Sequence, residues 1–318
     1  MQELLKTTFQ AMVICLISGS ILIPLLRKLR FGQNVRDEGP KAHLRKSGTP
    51  TMGGLMFFPS LVLGVYFSAG INKETVLFLL VTLAFGCIGF LDDFIKVVRH
   101  RSMGLRAIEK LLAQILVSAI FVYAAVKLGD RGTDLPIPGT SWVLPLGVLY
   151  YPFAVFMLVG FNNAVNLTDG LDGLASGVTM FAALAYVLIT NVWGLKSLSL
   201  AAATLAGTCL GFLFFNINPA RVFMGDTGSL LLGGSIFSLA ILTKTELLFV
   251  IIGGVFVLET LSVILQVVYF RLTGGKRLFK MSPLHHHFEL SGWSEQRVVI
   301  TFWGLAAVCA CLGIMLVL

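Results

Sequence analysis

Charged side chains are scarce in this chain: Asp, Glu, Lys and Arg make up 13% of its 318 residues, against roughly a quarter in an average soluble domain. That shortage, beside 56% hydrophobic residues, excludes a soluble globular protein and places the chain in the polytopic membrane class. Cysteine is sparse too. Cys15, Cys87, Cys209, Cys309 and Cys311 fall mostly within apolar runs with no paired spacing, which argues against a disulfide framework and a zinc site. No repeat of fixed period and no low-complexity segment is visible. A cleavable leader pattern is also lacking, and Leu4 to Leu26 is expected to stay as a first span.

What the chain has instead is apolar runs of about 20 residues, the length a helix needs to cross a bilayer. Ten helices are expected, over 4–26, 53–70, 76–95, 108–128, 143–162, 174–190, 198–217, 229–243, 247–270 and 298–318. They form a single all-α transmembrane domain over 1–318, with Gly129 to Trp142 as a loop able to form a small hairpin. The eighth run is short, so a tilted, broken or extended helix is open there. Loops 27–52, 96–110, 163–173, 218–228 and 271–297 hold 18 of the 24 Lys and Arg residues. The positive-inside rule puts those loops in the cytoplasm and both termini outside.

The few acidic residues near the spans gather in three polar knots on that same side. Carboxylates at membrane depth are costly and by default mark a functional site. Asp92 and Asp93 end the third run, with Lys96 one helical turn beyond Asp92. Adjacent carboxylates repel, and sharing a cation relieves them; Mg²⁺ bound by carboxylates and substrate phosphate oxygens fits such a pair. The plainer reading is a solvated helix end with an i,i+4 Asp–Lys pair. In the second knot Asn163, Asn166, Asp169 and Asp172 recur every third residue, a polar stripe if helical. Gly170 and Gly173 let the backbone leave the helix there. Such a stripe can hold a sugar, a nucleotide or a hydrated cation; an ordinary Asn/Asp/Gly turn is the alternative. The third knot, Met224 to Ser229, precedes the eighth run. Gly225 and its small neighbours expose backbone N–H groups for phosphate, Asp226 can ligate metal, and Phe223 can stack on a base. A simple helix cap by Asp226 or Thr227 is the competing reading.

Two further segments carry chemistry. His285, His286 and His287 stand between Pro283-Leu284 and Phe288-Glu289. Consecutive histidines rarely ligate one zinc with good geometry, so imidazoles acting on phosphates as donors or proton shuttles are the better reading. His43 to Gly54 adds basic and hydroxyl groups beside a helix start. For both loops, contact with lipid headgroups is the alternative. Glu259 and Gln266, inside the ninth run, are either interhelical hydrogen-bonding residues or parts of the site.

Taken in order, Gly48 to Gly54, Asp92-Asp93 with Lys96, Asn166 to Ala175, Met224 to Ser229 and Pro283 to Glu289 resemble the polyprenyl-phosphate N-acetylhexosamine-1-phosphate transferase family. The resemblance covers nearly the whole chain and implies ten helices with both ends outside. It implies an Mg²⁺-dependent enzyme of the bacterial cytoplasmic membrane, with membrane lipid as its surroundings and a cleft facing the cytoplasm. The triple-histidine frame points to the branch that transfers phospho-N-acetylmuramoyl-pentapeptide from UDP-N-acetylmuramoyl-pentapeptide to undecaprenyl phosphate, giving lipid I and UMP. A sister transferase using UDP-N-acetylglucosamine remains the near alternative.

By that resemblance the catalytic set is Asp92, Asp93, Lys96, Asp226 and His286, and Asp226 is the leading Mg²⁺ ligand with Asp92 and Asp93 beside it. Asp92 is a base, a metal ligand or a nucleophile, and these stay open. Asn166, Asp169 and Asp172 go to the sugar-phosphate and nucleoside end, with Phe223, Lys46, Gly170 and Leu171 at the uridine. Thr51, Lys96, Lys110, Asn163, Asn216, Gly225, Gln266, His285 and His287 hold phosphates or line the cleft. No nucleic acid is expected as partner, and a homodimer stays open. A secondary transporter is the alternative of a different class, but it calls for acids near the midplane and inverted repeats.

Overall fold

The structure is a computed structural model that describes residues 1–29, 48–99 and 103–317. It is an all-α membrane bundle. Among the described residues nine helices are long and apolar enough to span a bilayer. They are α1 (Gln2–Lys28), α3 (Lys73–Val98), α4 (Ala107–Lys127), α5 (Tyr150–Thr168), α6 (Leu174–Val192), α7 (Lys196–Asn216), α8 (Gly225–Leu242), α10 (Gly254–Leu272) and α12 (Glu295–Met315). The tenth expected span is shorter: a 3₁₀ turn over Gly53–Met56 runs into α2 (Phe57–Ser68). Two short helices, α9 (Glu246–Ile252) and α11 (Leu284–Glu289), complete the set.

Side-chain size decides which helices are central. α7 and α8 are buried almost throughout and rich in Ala, Gly and Ser, whereas α1, α4 and α10 bury only a narrow stripe. In lipid the hydrophobic effect does not drive helices together, so close approach of small residues does. At Gly207 of α7 an added Cβ would lie 2.1 Å from the Thr8 carbonyl oxygen of α1. Apolar residues on the outer helices, such as Phe9, Ile21, Leu112 and Leu116, point outward instead.

Local signals set several ends. α3 starts from a capping box, with Asn72 Oδ1 accepting from Thr75 N (3.0 Å) and Thr75 Oγ1 accepting from Asn72 N (2.9 Å). The expected hairpin is present: Asp134–Pro136 (β1) pairs antiparallel with Val143–Pro145 (β2). It is fastened to the bundle by a fully buried ion pair. Arg131 Nη2 donates to Glu246 Oε1 (2.6 Å) and Oε2 (2.8 Å), and Tyr150 Oη donates to Glu246 Oε1 (2.5 Å). The guanidinium also lies 4.2 Å over the Tyr150 ring.

Three expected boundaries are corrected. The fifth helix begins at Tyr150, because Val143 to Pro145 form a strand, and it continues to Thr168. Asn163 and Asn166 are therefore helical residues and not loop residues. The eighth helix starts at Gly225, so the third knot forms its first turns. The expected ninth span is broken at Gly253-Gly254 into α9 and α10, since consecutive glycines have the weakest helix preference short of proline.

Candidate active site

Four helix ends converge at the end of the bundle away from the hairpin. The last turns of α3 and α5 meet the first turns of α4 and α8. α3 delivers Asp92, Asp93 and Lys96, which share one face by their i,i+3 and i,i+4 spacing. Gly89, one turn earlier, lets that face touch α8: an added Cβ there would lie 2.0 Å from the Asp226 carbonyl oxygen. Asp93 then reaches the start of α8, where its Oδ2 accepts from Thr227 N (2.8 Å) and Thr227 Oγ1 (2.7 Å). Asp93 is thus the cap of α8, a carboxylate at the positive end of a helix.

Asp92, Asp93 and Asp226 each offer an oxygen within 4.8 Å of the others. Two ammonium groups are laid across them. Lys96 Nζ lies 2.5 Å from Asp92 Oδ2, 2.8 Å from Asp226 Oδ2 and 3.6 Å from Asp93 Oδ1. Lys110 Nζ, from α4, donates to the same Asp226 Oδ2 at 2.9 Å. Asp92 Oδ1 accepts from Leu105 N (2.8 Å), tying the segment before α4 to α3. Asn166 donates to Asp226 Oδ1 (2.8 Å) and to Ser229 Oγ (2.7 Å). The donor set is all oxygen and mainly carboxylate, which suits a hard divalent cation such as Mg²⁺. The residues present fit such an ion.

The loop after α5 closes one side. Asp169 is half-buried at its start, and its carboxyl is pushed up to about 8, first by burial and then by the charges of Asp226, Asp93 and Asp172. Gly170 lies against the ring of His285. Opposite, residues 50–54 run beside 222–224: Phe223 N donates to Pro50 O (2.8 Å) and Gly53 N to Phe223 O (2.8 Å). Gly225 has φ 72°, a left-handed conformation that favours glycine, and an added Cβ would lie 2.5 Å from Asp93 Oδ2 and 3.2 Å from Thr51 Oγ1.

Other expected site residues make bonds within the protein. Asn163 pairs with Gln114 of α4 (Nδ2 to Oε1, 2.8 Å). The side chain of Leu171 is buried in the core. Asp172 accepts from Asn218 Nδ2 (3.0 Å) and Ala220 N (3.1 Å). Asn216 bridges Gly173 N (2.9 Å) and Val222 O (3.0 Å) from a buried position. Gln266 accepts from Leu278 N (3.0 Å) and Phe279 N (2.8 Å), pinning the segment after α10. The three histidines diverge from α11. His285 Nδ1 faces Glu259 (3.2 Å), His286 faces Glu289 (2.9 Å), and His287 Nδ1 accepts from Lys280 N (3.1 Å). Lys46 lies outside the described residues. The reading of the sequence missed Gln114, whose signal is its place four residues after Lys110 on the same helix face.

Residues 75–244 match the family profile described as glycosyl transferase family 4, and residues 46–58 match signature 1 of phospho-N-acetylmuramoyl-pentapeptide-transferase. A phospho-N-acetylmuramoyl-pentapeptide-transferase of Heliobacterium modesticaldum is 53% identical over 316 residues, covering 99% of this chain and 98% of the relative. The chain belongs to the phospho-N-acetylmuramoyl-pentapeptide-transferase family. A transferase of the same name from Bacillus subtilis is 52% identical over 317 residues, covering 98% and 97%. The glycosyl transferase family 4 match contains Asp92, Asp93, Lys96, Lys110, Asp169 and Asp226, the residues that the fold brings together.

Proposed function

We propose that the protein transfers phospho-N-acetylmuramoyl-pentapeptide from its UDP conjugate to undecaprenyl phosphate, giving lipid I and UMP, the first membrane step of peptidoglycan synthesis. The observation that carries this reading is the Asp92–Asp93–Asp226 cluster with Lys96 and Lys110, set at the ends of spanning helices in a chain of this family. By the positive-inside rule this end faces the cytoplasm, where a soluble nucleotide-sugar and a membrane-held phosphate can both reach it. The site belongs to the bacterial cytoplasmic membrane.

In the reaction an oxygen of the lipid phosphate attacks the sugar-side phosphorus of the UDP conjugate. The bridging P–O bond breaks, and its electron pair leaves with UMP. One phosphoanhydride replaces another, so the protein's work is positioning and charge neutralisation. A phosphate's second pKa near about 6 leaves the lipid phosphate largely dianionic at neutral pH, and Asp92 need not take a proton from it. Asp92, Asp93 and Asp226 are the residues that would hold Mg²⁺, which supplies charge neutralisation at the phosphates when bound. Lys96 and Lys110 provide ammonium groups beside the same oxygens, and Asn166 orients Asp226. Phe223, on the strap formed by 50–54 and 222–224, is the residue that would stack on a base.

The test is UMP release by purified protein with undecaprenyl phosphate and Mg²⁺, comparing UDP-N-acetylmuramoyl-pentapeptide with UDP-N-acetylglucosamine. Turnover with the first alone, abolished by EDTA, is the expected result. Turnover with only the second moves the protein to the sister specificity, and EDTA-resistant turnover removes the metal from the reading.

A further inference from the structure

The buried stripe of α10 runs through Val255, Phe256, Glu259, Ser262 and Gln266. Ser262 bonds back to its own helix, and Gln266 pins the backbone at 278–279. Glu259 remains, fully buried, with neither carboxylate oxygen making a hydrogen bond. An isolated carboxylate in such surroundings is costly, so it calls for a partner. Among the described residues the basic group within ion-pair reach is His285, whose Nδ1 lies 3.2 Å from Glu259 Oε2. That ring is itself 1% exposed. Its neighbours are His286, at 4.2 Å between ring centroids and paired with Glu289, and the Asp169-Gly170 turn.

The other ring nitrogen is informative. Neither ring nitrogen of His285 makes a hydrogen bond, and Nε2 lies toward Gly170, where an added Cβ would lie 2.2 Å from it. Gly170 follows Asp169, which feels the charges of Asp226 and Asp93. We propose that Glu259 is a positioning residue for His285: its carboxylate accepts the Nδ1–H, so that the Nε2 lone pair is presented at the Asp169-Gly170 turn as an acceptor for an O–H or N–H group of the nucleotide-sugar substrate. The carboxylate fixes which nitrogen carries the proton, as the partner of an imidazole does generally. The proposal rests on the reading of this cleft as a nucleotide-sugar transferase site.

A double-mutant cycle tests it, with Glu259→Gln, His285→Ala and the two combined, in purified protein assayed for UMP release. Glu259→Gln keeps the shape, and its thermal midpoint is expected to stay within a few degrees of the wild type. Its kcat/KM is expected to fall at least tenfold, with Glu259→Asp recovering part of the loss. In the His285→Ala background, adding Glu259→Gln is expected to change the rate less than twofold. An equal loss in both backgrounds overturns the proposal, because Glu259 would then act by packing alone. A wild-type rate in Glu259→Gln overturns it as well. Nitrogen-15 spectra of histidine-labelled protein give a readout independent of turnover, with His285 assigned by its absence in His285→Ala. A protonated Nδ1 in the wild type that is lost in Glu259→Gln supports the pairing; unchanged spectra refute it. Should the wild type release no UMP, the transferase reading fails, and the spectra still decide the pairing.

Discussion

Replacing Gly89 by Ala adds one methyl group at the tightest approach between α3 and α8. The new Cβ would lie 2.0 Å from Asp226 O, 2.4 Å from Asp226 C and 2.7 Å from Thr227 N, all backbone atoms that cannot rotate away. Non-bonded carbon contacts below about 3 Å are strongly repulsive, so the two helices must part by about 1 Å or more. The bonds from Thr227 to Asp93, at 2.8 and 2.7 Å, then stretch beyond hydrogen-bonding range. Overpacking of this kind costs about 1–3 kcal/mol in stability. Function should suffer more, since the displaced turn carries Asp226, and a misplacement of about 1 Å at a catalytic constellation costs roughly 100-fold in rate. A roughly 100-fold loss corresponds to about 2.7 kcal/mol of barrier. The assay is UMP release at saturating substrates beside a thermal-unfolding scan in detergent. Gly160→Ala on α5 is the control, because an added Cβ there meets nothing within 4 Å. A Gly89→Ala protein within about threefold of the control would refute the claim that this contact sets the carboxylate geometry.

Asp226→Asn removes the charge that Lys96 and Lys110 share, and turnover is expected to vanish while the protein still purifies folded; a near-normal rate would take Asp226 out of the site. Breaking the buried pair with Arg131→Met leaves Glu246 uncompensated, and about 3–5 kcal/mol of stability should go. In that variant kcat per folded molecule is expected to hold, since the pair lies at the far end of the bundle; a thermal midpoint equal to wild type would contradict the assignment. Asp169 titrates near 8 in the folded protein against an ordinary 3.8, so the native state holds the extra proton between those values. Stability in EDTA should therefore fall as pH rises from about 4 towards 8 and level off above it, and Asp169→Asn should flatten that slope. A slope of the opposite sign in the wild type would overturn the burial argument.

The spans and the three acidic knots were legible because both are local: a run of apolar residues, or carboxylates a turn apart, needs no partner elsewhere to be seen. The end of the fifth helix was not. Asn163 and Asn166 favour turns when their side chains compete for nearby backbone, and here distant groups, Gln114 and Asp226, occupy them and the helix continues. The break at Gly253-Gly254 was visible as a dipeptide, yet the apolar run on either side outweighed it. The cap of α8 by Asp93 and the Arg131–Glu246–Tyr150 cluster join residues 96 to 134 positions apart, and nothing in local spacing announces such pairs. The histidine run was legible as a site feature, but the divergence of its three rings depends on the six-residue helix that carries them.

Lys96 and Lys110 both spend their charge on one oxygen of Asp226, at 2.8 and 2.9 Å. A divalent cation held by Asp92, Asp93 and Asp226 would compete with both ammonium groups for that oxygen, and lysines freed from it would be available to phosphates. Loading would then be an exchange, in which contacts within the protein give way to contacts with the incoming anions. A pocket built this way is held in shape before its substrates arrive, because the lysines that would receive the phosphates already act as struts.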